Sequence, residues 1–160
     1  MVIGCEESRR FAGITSTNKD SIRVPIDNSG MPLSLLGITV LVVEDEFLIA
    51  LDTSQTMTDA GADKVLTARS CSEAVSLLDT GRCDVAILDV HLHSETSFEL
   101  ADLLADRSIP FVFATGYYDK AIIPERHGAA QVIQKPFRDG ELVRTIEAIV
   151  CGPLISDIVG

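Results

Sequence analysis

The chain has 160 residues, 46% of them hydrophobic, which is enough for one domain with a proper core and not for two. Its 24 acidic residues against 13 Lys and Arg give a net charge of -11, and the basic residues form no cluster, which argues against nucleic acid or an anionic membrane as partner. The four cysteines (Cys5, Cys71, Cys83, Cys151) show neither a C-x-x-C pair nor metal-ligand spacing and read as reduced thiols and core filler in a cytoplasmic protein; no apolar run approaches the ~18 residues that cross a bilayer, so no membrane insertion is expected.

Residues 1 to 36 carry no sustained period and are rich in Ser, Thr, Asn, Asp and Gly, so they read as a largely unstructured N-terminal extension, with Ile22 to Ile26 or Leu33 to Leu36 able to pack onto the domain. From Gly37 apolar runs alternate with amphipathic segments, the pattern of βαβ units. A strand over 38–43 ends at Glu44-Asp45, and a helix over 46–60 stops at Ala60-Gly61, where glycine suits a left-handed cap. A strand over 64–68 leads to the capping box Ser70-Cys71-Ser72-Glu73, which opens a helix over 71–79 that stops at Thr80-Gly81. The next strand, 84–88, ends at Asp89; the polar stretch from Asp89 to Ser97 has neither Gly nor Pro, and a helix comes next over 96–106. A strand over 110–114 ends at Thr115, and Gly116, Pro124 and Gly128 leave room only for a brief helix over 119–126. The last strand, 130–134, ends at Lys135, and Asp139 is placed to cap a final helix over 139–150 whose Leu142, Ile146, Ile149 and Val150 share one face. Residues 152–160 read as a tail.

If these strands are parallel, their carboxyl ends share one edge, where open α/β sheets bind ligands, and Glu44, Asp45, Asp89, Thr115 and Lys135 meet there. Three carboxylates about 4 Å apart repel by roughly 4 kcal/mol per pair at an effective dielectric near 20, so a cation is required. Oxygen-only ligands suit Mg²⁺, with Asp45 and Asp89 as direct ligands, Glu44 acting through a water, and the backbone carbonyl of His91 completing the set. Asp89 is then the nucleophile toward a phosphoryl group, Lys135 neutralises the equatorial oxygens, and Thr115 donates its hydroxyl to one of them. Each element alone has a plain reading: an aspartate capping a turn, acids favouring a helix N-terminus, an ordinary Thr-Gly turn, a solvated lysine. Coincidence at four of the five strand ends is what argues against those readings. His91-Leu92-His93 invites a transition-metal reading, but a hard-cation pocket needs no imidazole, and solvent-facing histidines are the default. Tyr117, two residues past Thr115, is a candidate shield of the phosphoryl group from water, or with Tyr118 a half-buried anchor of its loop.

Val42-Val43-Glu44-Asp45-Glu46, Ile87-Leu88-Asp89-Val90, Ala114-Thr115-Gly116 and Lys135-Pro136-Phe137 resemble the receiver domain of two-component response regulators, over about Gly37 to Cys151. The run from Pro110 to Tyr117 is similar to the PFxFATGY subgroup, often single-domain receivers partnered with sensor histidine kinases of the HWE or HisKA2 type. The resemblance implies a (βα)5 flavodoxin-like α/β fold, a doubly wound parallel sheet of strand order 2-1-3-4-5, Mg²⁺ in the acidic pocket, phosphotransfer from a kinase histidine to Asp89, and a cis Lys135-Pro136 bond. The chain departs from the family at Glu44, where Asp is common, at Val132, where an aromatic switch residue is frequent, and at Ser97, where glycine is frequent. The expected protein is a single-domain response regulator, no DNA-binding module following residue 151, that presents a phosphorylation-dependent surface to a downstream protein and is not a classical enzyme, though a weak autophosphatase activity fits it. A relay shuttle or phosphate sink needs the same Asp89 chemistry. An aspartyl-phosphate phosphatase wants a second acid at position 91, where His91 stands, and a phosphorylation-independent interaction module would tolerate mutation of the pocket.

Overall fold

The computed structural model describes residues 34–116 and 122–152. The expected unstructured extension up to 33, the tail from 153, and Tyr117 and Tyr118 lie outside the described residues. In chain order the elements are β1 (Thr39–Val43), α1 (Phe47–Asp59), β2 (Lys64–Ala68), α2 (Cys71–Thr80), β3 (Val85–Asp89), β4 (His91–Leu92), β5 (Glu95–Thr96), α3 (Phe98–Asp106), β6 (Phe111–Thr115), a 3-10 turn (Glu125–His127), β7 (Gln131–Gln134) and α4 (Asp139–Cys151).

Five strands form one parallel sheet of order β2-β1-β3-β6-β7, which is the expected 2-1-3-4-5 once the short β4–β5 ribbon is set aside. The chain leaves β1 outward to β2 and returns to β1's other side as β3, so the order reverses between β1 and β3 and opens a crevice at their carboxyl ends. Successive side chains of a strand face opposite ways, and both faces are covered here, so the central strands are apolar between their ends. Val40 and Val42 with Val85, Ile87, Val112 and Ala114 pack on Met57 of α1 and on Leu142 and Ile146 of α4. Leu41, Val43, Ala86, Leu88 and Phe113 pack on the opposite side against Ala74 and Leu78 of α2 and Leu100, Ala101 and Leu104 of α3. The packed region reaches back to Leu35, which is fully buried and donates its amide to the carbonyl of Ala60. No helix among the described residues is long and apolar enough to cross a membrane.

Gly61 has φ 93°, and the amides of Gly61 and Ala62 reach back to the carbonyls of Thr58 and Met57, the paired bonds of a Schellman cap. Gly81 after α2 is extended instead. Ser70 caps α2 through the amide of Glu73 (3.2 Å), while the Glu73 carboxylate accepts from the amide of Arg69. One expectation needs correction. Asp139 is the first residue of α4 and not its cap, which falls on Arg138 with no side-chain bond; Asp139 acts only through its charge in the first turn. Of the expected brief helix over 119–126, residues 119–121 lie outside the described residues, and the remainder has 3-10 geometry at Ile122 and in the turn after Pro124. Of the thiols, Cys71 and Cys83 are half-buried and pack against the core on the α2 and α3 side, as expected of core filler, while Cys151 is exposed.

Candidate functional site

β1 ends where Glu44 and Asp45 leave the sheet, β3 ends on Asp89, and the two strands are direct neighbours, so three carboxylates arrive at the crevice mouth from adjacent chain ends. Each offers one oxygen within 4.8 Å of those of the other two. β6 and β7 supply the rest. Ala114 pairs with Asp89, which puts the buried Thr115 one residue further along that edge, and the Lys135 amide donates to the Thr115 carbonyl at 2.8 Å. The Lys135 ammonium pairs with Glu44 Oε2 and lies 3.1 Å from Asp89 Oδ2, and the Lys135-Pro136 bond is cis.

One lysine stands against three carboxyl groups, so acids outnumber cations in the cluster. Burial is the main reason the Glu44 carboxyl rises to about 7, and it outweighs the pairing with Lys135. Burial would also depress the Lys135 ammonium, but its bonds and charge attraction to Glu44 and Asp89 together hold it above the usual range. Burial pushes Asp45 upward too, and the hydrogen bonds from His93 together reverse that, leaving its carboxyl below the usual range. Three hard oxygen donors in excess over one cationic partner fit a divalent ion such as Mg²⁺.

The residues expected at this edge are therefore brought together: Glu44, Asp45, Asp89 and Lys135 by their side chains, Thr115 by strand register and by its backbone bond to Lys135. His91 is exposed and its amide donates to Asp89 Oδ1 at 3.2 Å. Tyr117 lies outside the described residues.

His93, like His91, is expected to face solvent. Its ring is mostly exposed, yet Nδ1 contacts Asp45 Oδ2 and its amide donates to the same oxygen at 3.0 Å. The cause is the β4–β5 ribbon, in which His91 pairs with Thr96 and Leu92 with Glu95, so that the chain turns at His93 with φ 42°. Histidine is among the few non-glycine residues enriched in that conformation, and this was the available signal. The ribbon also explains Ser97: its φ is -83°, ordinary for any residue, and its amide closes the loop on the Val90 carbonyl.

A family model described as "Response regulator receiver domain" matches residues 40–147. Among curated relatives, the phyllosphere-induced regulator PhyR of Methylorubrum extorquens is 28% identical over 91% of this chain and 57% of its own length. The transcriptional regulatory protein PdtaR of Mycobacterium tuberculosis is 30% identical over 69% of this chain and 56% of its own. This chain thus spans a little over half the length of those two relatives. Among solved structures, chemotaxis protein CheY4 of Vibrio cholerae superposes with a TM-score of 0.64 at 30% identity, covering 70% of this chain and 98% of that one. SdrG of Sphingomonas melonis Fr1 gives 0.61 at 37% identity over 69% and 94%. Sheet order, the acids of β1 and β3, and the family match agree, and the chain belongs to the response regulator receiver family.

Proposed function

We propose that the protein is a phosphorylation switch: Asp89 accepts a phosphoryl group from a histidine of a sensor kinase, and the altered surface is read by another protein. The observation that carries this reading is the convergence of Glu44, Asp45, Asp89 and Lys135 on one point at the crevice between β1 and β3. The resemblance of Pro110 to Tyr117 to the PFxFATGY run favours a kinase of the HWE or HisKA2 type, and a cytoplasmic setting follows from such a donor.

The chemistry is an in-line displacement. An Asp89 carboxylate oxygen forms a new P–O bond, the P–N bond to the kinase imidazole breaks, and the imidazole leaves with the electron pair and takes up a proton. Lys135, already 3.1 Å from Asp89, orients the nucleophile and then meets the equatorial oxygens. Thr115 donates its hydroxyl to one of those oxygens, which draws the start of the following loop toward Asp89. Asp45 and Asp89 would hold Mg²⁺ directly, Glu44 through a water, with the His91 carbonyl as a further ligand; when bound, the ion supplies neutralisation of the phosphoryl charge. Tyr117 shields the phosphoryl group from hydrolysis, which is otherwise a slow reaction of the same site. A relay shuttle or phosphate sink would use the same steps and differ only in where the phosphoryl group goes next.

The test is intact mass after incubation with a small phosphodonor and Mg²⁺. Wild type gains one phosphoryl group and Asp89→Asn gains none; equal labelling of the two overturns the assignment.

A further inference from the structure

In the connection between Thr115 and Lys135, the 3-10 turn Glu125–His127 is pinned to α3. The 3-10 turn sends Arg126 to Asp102 on α3 through a two-pronged contact, Nε to Oδ1 at 2.8 Å and Nη2 to Oδ2 at 3.1 Å. From the same turn the buried His127 brings Nε2 within 2.7 Å of Asp102 Oδ1, off the straight line of a hydrogen bond. The His127 ring stands edge-on to Phe111 and Phe113, with centroids 5.7 and 5.9 Å away. Phe113 in turn meets Phe98, one helical turn before Asp102 on α3. Phe111, Phe113 and Thr115 alternate along β6 and therefore share one face, so α3 grips both the turn and the strand row that ends in the site's hydroxyl.

We propose that Asp102 is a positioning residue for the chemistry at Asp89: by holding Arg126 and His127 it fixes the turn between Thr115 and Lys135, and so sets how readily Thr115 moves to the phosphoryl group. This rests on the reading of Asp89 as phosphoacceptor. The contact ties the 3-10 turn to α3, so loosening it frees the turn and lets Thr115 follow the phosphoryl group more readily. The Arg126 contact is half-exposed, which limits its effect to a shift of about two- to fivefold in a local equilibrium and makes it a poor support of the whole fold. The paired carboxylate of Asp102, held below the usual range chiefly by Arg126, is consistent with that contact being formed.

The test compares Asp102→Ala, Arg126→Ala and the double variant, using a small phosphodonor and Mg²⁺, with amide exchange followed alongside. Each single variant is expected to raise the phosphorylation rate by about two- to fivefold at unaltered Mg²⁺ affinity, the double to match Asp102→Ala, and exchange to rise over residues 122–130. A merely structural contact would lower the melting temperature and leave the rate alone. Folded variants that label at the wild-type rate, or single effects that multiply in the double, overturn the inference while leaving Asp89 as phosphoacceptor. A wild type that takes no label overturns that reading and this inference with it; the exchange data then show separately whether the grip exists.

Discussion

Glu44 is the residue at which burial and charge most openly conflict. The carboxyl is nearly inaccessible, is raised to about 7 by that burial, and sits against Lys135 and near Asp89. A carboxyl whose folded-state value is raised binds its proton more tightly in the native protein than in the unfolded chain. Its contribution to stability is therefore full below about 4.5 and is lost as pH rises through about 7. Denaturant titrations in chelator should show wild type losing more stability between pH 5 and pH 8 than Glu44→Gln does; identical pH slopes would contradict this account of Glu44. The glutamate in place of the family's more frequent aspartate also finds a physical reason here. Its reach allows one oxygen to meet Lys135 while the other accepts the amide of Glu46 at 3.1 Å.

At the scale of elements, two glycines that look alike in sequence have opposite roles. Gly61 holds φ 93° in the cap of α1, a conformation that costs a residue with a Cβ roughly 1–2 kcal/mol, so Gly61→Ala should lower the unfolding free energy by about that much. Gly81 is extended and an added Cβ meets nothing nearer than a carbonyl at 3.7 Å. Gly81→Ala should be neutral or gain about 0.4–1 kcal/mol by restricting the unfolded chain. Urea denaturation of the pair checks both signs, and equal effects would mean that the caps are misassigned. The five sheet strands were legible because each is a short apolar run with a polar stop, and α1, α2 and α4 because their stripes and ends agree with burial. The β4–β5 ribbon was not legible: two residues per strand give no period, and the histidine at its turn is a weaker cue than glycine or asparagine. The Arg126 and His127 contacts with Asp102 were equally hidden, since about 24 residues of unrelated pattern separate the partners.

For the molecule as a whole, everything depends on one topological fact: the sheet order reverses between β1 and β3, so the chain ends that follow them share a crevice. Sequence alone supplied the residue types at the strand ends, and parallel pairing brought Glu44, Asp45, Asp89 and Lys135 together. Position 93 entered the site only through folding, because the ribbon after β3 bends back onto Asp45. The excess of carboxyl groups over cations at this single edge is what suits the crevice to the divalent ion and phosphoryl group of the proposed function. The most direct measurement is to label the protein with a small phosphodonor and Mg²⁺, reduce it with borohydride, which converts a phosphorylated aspartate to homoserine, and sequence the peptides by mass. The account predicts homoserine at position 89 and nowhere else; homoserine at another position, or none in protein that has gained a phosphoryl group, would contradict it.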